Sequence, residues 1–192
     1  MRALALAVRA ISGLNAIVGS VFSWLSLGIV AVCFTVVVLR YAFATSFVWM
    51  QDLYIWQNGA MFTAVAGFAL MRGDHVRVDI FYRPATVRTK ALVDLFGSLF
   101  FLLPFCIVVY RYSMPFVQRA WSYREGSANV GGMEGLYILK TFIIAFVVLL
   151  ALQGIAMILR SILVLGGCDD LLPPSQRYDA DDALSAAAEG AQ

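Results

Sequence analysis

The sequence predicts an all-α membrane protein with four transmembrane helices, and three observations predict it. Of 192 residues, 61% are apolar and only 14% charged, with a mean hydropathy of +0.82; soluble domains are about half apolar and a quarter charged. Cutting the chain at its charges leaves four uncharged stretches, 14–39, 53–71, 95–110 and 141–159, each near the ~20 residues that cross a hydrocarbon core of roughly 30 Å. Lipid offers the backbone no hydrogen-bond partner, so each stretch must satisfy itself as helix.

In chain order, residues 1–13 place Leu4, Ala7, Val8 and Ile11 on one helical face, with Arg2, Arg9 and Ser12 elsewhere. This pattern predicts an amphipathic segment lying on the inner membrane interface. The first span follows at 14–39. Arg2 and Arg9 before it and Ala42-Phe43-Ala44 after it imitate a signal peptide. Its apolar core outlasts the 7–15 residues of a signal h-region, however, and Arg40 interrupts before the cleavage-like site, so the helix is expected to be retained.

The second span covers 53–71, with Asp52 at its head, where a helix dipole favours a carboxylate. The third is expected at 92–112: Leu92 and Val93 lengthen its short uncharged run, Arg111 can snorkel past Tyr110 and Tyr112, Asp94 serves its N-terminus and Pro104 kinks it. From Pro115 to Glu125 the stripe Phe116, Val117, Ala120 and Trp121 predicts a separate short interfacial helix in the outer loop between the third and fourth spans. Ser127 to Gly132 reads as a turn, and the fourth span is expected at 138–160. Gly166-Gly167 and Pro173-Pro174 break the helical pattern, and 161–192 is expected to be a disordered, acidic, cytoplasmic tail.

Four spans put both termini on one side, where nine Lys and Arg residues fall against five on the other. The positive-inside rule then makes both termini cytoplasmic.

The residues exclude several chemistries. A single histidine, His75, cannot build a bis-histidine haem, and Cys33, Cys106 and Cys168 form no Cys-x-x-Cys pair. His75 and Asp79 could share a helix face, but two ligands do not make a metal site, so neither metal nor other cofactor is expected. The net charge of +2 carries no basic face for nucleic acid. None of the four runs holds an ionisable group, the usual mark of a proton relay or ion path. The polar residues that do enter the spans, Gln57, Asn58 and Gln153, read first as helix-packing amides. The arginines of the 72–83 loop, Arg72, Arg77 and Arg83, read as holding it to an anionic membrane surface. The amphipathic stretch around Trp121 fits an interfacial aromatic belt or the docking of an external protein.

Gly73-Asp74-His75-Val76-Arg77-Val78-Asp79-Ile80-Phe81-Tyr82, directly after the second span, resembles the Gly-x-His-Val-x-Val-Asp element of the small membrane subunit of tripartite ATP-independent periplasmic (TRAP) transporters. The resemblance extends over about 14–160 and includes Arg40-Tyr41. Ala91-Leu92-Val93-Asp94, Leu103-Pro104-Phe105, Trp121 with Arg124-Glu125-Gly126-Ser127, Leu139-Lys140 and Leu152-Gln153-Gly154 look like the mannitol/chloroaromatic-type branch. Gln51-Asp52 stands where the broader family has an acidic pair, which puts in doubt any contact that needs two carboxylates.

The resemblance implies a non-catalytic subunit in the bacterial inner membrane, bound to a large multi-spanning subunit that carries substrate, and served by a periplasmic receptor. Uptake of an organic acid would be driven by sodium, with this chain enlarging the static scaffold. Gly73, His75, Val76, Arg77 and Asp79 would form the family-motif loop, while Arg119, Trp121 and Arg124 are candidates for docking the receptor. Two other readings of the residues stand beside it: a membrane enzyme using Asp74, His75 and Asp79 on the cytoplasmic face, and a general membrane assembly factor.

Overall fold

A computed structural model describes residues 1–73, 85–173 and 176–178; the regular structure among them is helical, with no strand. The helices are α1 (Arg2–Ser23), α2 (Leu25–Ala42), α3 (Val48–Arg72), α4 (Val87–Gly97), α5 (Leu103–Ser122) and α6 (Leu136–Leu165). A π-helical turn, Ser98–Leu102, joins α4 to α5, and a 3-10 turn, Asp169–Leu171, follows α6. Trp24, between α1 and α2, keeps right-handed helical dihedrals, so Arg2–Ala42 is one helical stretch of 41 residues. Three stretches are long and apolar enough to cross a membrane: Arg2–Ala42, Val87–Ser122 and Leu136–Leu165. The 25-residue α3 is not among them, because Gln51, Asp52, Gln57 and Asn58 dilute its apolar character.

Helix α6 is the hub and packs on α1, α3, α4 and α5. It runs antiparallel to α1: Phe22 meets Phe142 with ring centroids 5.9 Å apart, and further along Asn15 reaches Gln153 at 2.9 Å. Small residues make this closeness possible. The buried face of α1 is Ala5, Val8, Ser12, Asn15 and Gly19, a three-to-four-residue repeat, and small side chains let backbones approach where lipid provides no hydrophobic drive. A Cβ on Gly19 would lie 2.4 Å from Phe68 of α3, and one on Gly67 would lie 2.6 Å from Asn15 Oδ1.

The structure corrects four sequence expectations. Residues 1–13 are not a separate segment. They are the first half of α1, and Ala5 and Val8 pack against Ala91, Leu163 and Val164. The apolar face expected to lie on lipid has a protein surface to cover instead.

The third helix begins at Val87, where Thr86 caps it by accepting the Thr89 N–H on its hydroxyl at 3.3 Å. Asp94 therefore lies well inside the helix. Pro104 lacks the N–H that would reach Phe100, and the π turn just before it takes up the change of register, with the Leu103 N–H bonding back to Ser98 O.

The stretch from Pro115 is likewise no separate helix but the continuation of α5 to Ser122. Pro115 costs one backbone bond, but Val117 and Ala120 are buried and keep the helix on course.

The first part of the tail is ordered beyond residue 160, while 174–175 and 179–192, which the same expectation covers, lie outside the described residues. Helix α6 continues to Leu165, and Leu172 and Tyr178 are fully buried. They join the cluster that α1, α4 and α6 provide, a surface the tail's own composition does not reveal.

Candidate functional site

Polar side chains gather at three levels of the bundle. At the end formed by the α2–α3 and α5–α6 connections, Asp52 is 96% buried and holds the loop between α5 and α6. Its Oδ2 accepts the Met133 backbone N–H at 3.0 Å and its Oδ1 accepts from Asn129 Nδ2 at 3.1 Å. The Ser127 hydroxyl bonds to it as well, and a Cβ on Gly132 would sit 2.3 Å from Oδ2. Asp52 lies outside the uncharged stretch 53–71, and the Ser127 hydroxyl first, then the Met133 N–H, hold its carboxyl below the ordinary value despite burial. Glu125 pairs with Lys140, whose ammonium also lies 4.0 Å from the Phe116 ring centroid.

Trp121 belongs to the same end. Its indole N–H donates to Thr141 Oγ1 at 2.9 Å, and its ring meets Tyr137 edge-on at 4.6 Å. With Met114, Gln118, Thr141 and Ile144 it lines an open groove between α5 and α6 of about 590 Å³. Arg119 donates to Pro115 O at 3.3 Å on another flank of α5, and Arg124 takes a positive φ of 46° just past the helix end. The three candidate docking residues therefore share one end of the molecule but no single contact.

At mid-height, Asn15 donates to Gln153 Oε1, and both side chains are buried. Gln57 lies against Gly28 of α2, its Oε1 buried without a partner, while Asn58 is exposed. The residues singled out from sequence thus divide: Gln153 has a defined helix-bridging bond, with Asn15 as a partner that sequence reading missed. Asn15 passed unnoticed because it follows Leu14 at the very start of an uncharged run, where its depth in a bundle is not legible.

The opposite end carries an ion pair that sequence reading also missed. Arg160 Nη2 donates to Asp94 Oδ2 at 2.9 Å, and the Tyr178 hydroxyl donates to the same oxygen at 2.9 Å. The Arg160 guanidinium lies 4.2 Å from the Tyr178 ring centroid, and Ser161 Oγ is 3.3 Å from the Tyr178 hydroxyl. Burial pushes the Tyr178 phenol above its ordinary 10.0. Arg9 donates to Leu171 O at 3.0 Å and ties α1 to a strap made of residues 169–173 and 176–178.

Of the family-motif residues, Gly73 ends α3 in the left-handed region, at φ 75°, a conformation that costs glycine little. His75, Val76, Arg77 and Asp79, and Asp74 with them, lie outside the described residues. Among the described residues, no group of three or more His, Cys, Asp or Glu side chains converges as a metal site would require.

Residues 29–164 match the model of the family described as tripartite ATP-independent periplasmic transporters, DctQ component. No curated protein and no solved structure matches the chain.

Proposed function

Starting from a chain that belongs to the DctQ component family of tripartite ATP-independent periplasmic transporters, and so is a small, non-catalytic membrane subunit of such a transporter, we propose that it is the static scaffold of a sodium-coupled importer of organic acids. The observation that carries this reading is how its buried charges are spent. Asp94 is bound to Arg160 and Tyr178, and Asp52 to its own loop. Carboxylates committed to internal bonds hold helices and loops together. A carrier's carboxylates must instead exchange partners with ions or protons.

In this reading the chain crosses the bacterial inner membrane four times. Helix α3, 25 residues long, reaches about 37 Å at 1.5 Å per residue, and it packs between α1 and α6, which offsets its lower hydropathy. Both termini are cytoplasmic by the distribution of Lys and Arg. The loop beginning at Gly73, with His75, Val76, Arg77 and Asp79, then faces the cytoplasm, and the Asp52-clamped loop faces the periplasm. Trp121, with Arg119 and Arg124 nearby, stands at that outer end for the receptor. The substrate branch is proposed as the mannitol/chloroaromatic type.

Deleting the chain tests the proposal. Uptake should be abolished while the receptor's affinity for its substrate stays unchanged, and uptake should depend on a sodium gradient. Full uptake without the chain sinks the scaffold role.

A further inference from the structure

Residues 123–135, between α5 and α6, form neither helix nor strand, yet their backbone is fixed at three levels. At the base the Ser127 N–H donates to Met133 O at 2.9 Å. At the tip the Gly132 N–H donates to Asn129 O at 3.0 Å, and Gly131 takes φ 77°, so Asn129-Val130-Gly131-Gly132 is a tight turn whose third residue occupies the left-handed region that glycine enters at least cost. From beneath, Asp52 accepts the Met133 N–H and Asn129 Nδ2.

What this framework displays is apolar. Val130, the second residue of the turn, is 97% exposed, more than any other large hydrophobic side chain among the described residues. A single exposed valine needs no explanation on a loose loop. Here the pinned backbone keeps it extended into solvent. Binding residues favour loops that a rigid scaffold positions, and a loop already held in its bound form gives up little freedom when a partner covers it.

The surroundings of Val130 point to the kind of partner. Helix α5 ends at Ser122 and α6 begins at Leu136, and the last turn of one and the first turns of the other carry the marks of a membrane–water boundary: Trp121 bonded to Thr141, and the Lys140 ammonium over the Phe116 ring. Val130 lies midway along the connection, past both helix ends, on the water side of that boundary and out of reach of a transmembrane helix. Asn129 and Gly131 flank it, so the turn has no apolar surface to sink into lipid. Glu125 and Lys140 neutralise one another. The exposed charged side chains at this end of the bundle are then Arg40, Arg119 and Arg124 against Glu134, a cationic rim that favours an acidic partner surface.

We propose that the Asn129–Gly132 turn is a preformed docking knob for the soluble receptor, with Val130 entering an apolar pocket that carboxylates surround and the cationic rim meeting those carboxylates. The proposal rests on the reading that this end faces the periplasm and that a soluble receptor serves the transporter. Asp52 is a positioning residue for the knob and touches the receptor nowhere.

The test uses the full chain with its partner membrane subunit, in the native membrane, and the purified receptor. Val130→Asp should raise the receptor concentration for half-maximal uptake by about tenfold or more, with Val130→Ile close to wild type and the recovery of the partner membrane subunit unchanged in both. Asp52→Asn should raise that concentration too, but should add little in the Val130→Asp background, because it acts through the same turn. A photo-cross-linking residue at position 130 should capture the receptor, and one at position 112, a tyrosine 79% exposed on α5, should not. An unchanged half-maximal concentration with Val130→Asp, or an adduct from position 130 with the large membrane subunit or with lipid in place of the receptor, would overturn the proposal. Wild-type uptake that needs no receptor would instead remove the transporter reading beneath it, so the two failures are distinguishable.

Discussion

Asp52, near the start of α3, accepts the backbone N–H of Met133 at 3.0 Å from the far side of the α5–α6 loop. One carboxylate thereby replaces the regular structure that the loop lacks. Hydrogen bonds to a charged group are worth about 1.5–3 kcal/mol each, so Asp52→Asn should loosen the 123–135 loop by an amount of that order. Gly132→Ala should do the same, since its new Cβ would lie 2.3 Å from Asp52 Oδ2 and 2.5 Å from Ser127 Oγ. Faster limited proteolysis within this loop, with the rest of the chain resistant, is the expected readout. Because the Asp52 carboxyl is held below its ordinary 3.8, its contribution is complete above that value and is lost only as pH falls through the lower folded value.

The Asn15–Gln153 bond predicts non-additivity. Interhelical polar contacts in membranes couple by about 0.6 to 1.7 kcal/mol. Asn15→Leu and Gln153→Leu should each lower thermal stability in detergent, and the double variant should cost less than their sum. Strict additivity would mean that the bond contributes nothing. Gly67→Ala should strike the same place, because its Cβ meets Asn15 Oδ1 at 2.6 Å and the Leu149 carbonyl at 3.2 Å.

Much of the helical layout was legible because uncharged length alone reports it: each uncharged run falls inside one continuous helical stretch, though 14–39 spans both α1 and α2 and 95–110 spans α4, the π turn and α5. The ends were not legible, because cutting the chain at charges assumes that charges end helices. Asp94, Lys90 and Arg160 all lie within α4 or α6; what permits this is the pairing of Asp94 with Arg160, a fact of tertiary structure. Asp52 and Asp94 were both read as serving helix N-termini through the dipole, a local explanation, while their partners lie 81 and 66 residues away. Trp121 stood out in the sequence as an aromatic on an amphipathic stretch, but its hold on Thr141 depends on the register of α5 against α6.

The Asp94–Arg160 pair predicts asymmetric losses. Both side chains are largely buried, at 8% and 13% exposure. Removing one partner of such a pair leaves a buried charge uncompensated, at a cost of about 3–5 kcal/mol for fully buried cases. Asp94→Asn or Arg160→Met alone should therefore lower the melting temperature in detergent more than the two together, because the double variant leaves no lone charge. A double variant as unstable as the sum of the singles would contradict this account.

Tyr178 makes the tail's attachment sensitive to alkali. Its hydroxyl donates to Asp94 Oδ2, its ring lies against the Arg160 guanidinium, and burial, reinforced by the Asp94 charge, raises its pKa above 10.0. A phenol whose folded pKa is raised stabilises the fold fully below its unfolded value, near 10, and that stability is lost as pH rises through the higher folded value. Residues 169–173 and 176–178 of the strap should therefore resist protease at neutral pH and become cleavable above pH about 10, as one tyrosine ionises later than the exposed ones. Tyr178→Phe should abolish that late step in a tyrosinate absorbance titration. At neutral pH the same variant should weaken the strap by about 1–3 kcal/mol, since Asp94 and Ser161 lose a buried partner. A strap that opens at the same alkaline pH in Tyr178→Phe as in the wild type would show that another group controls it.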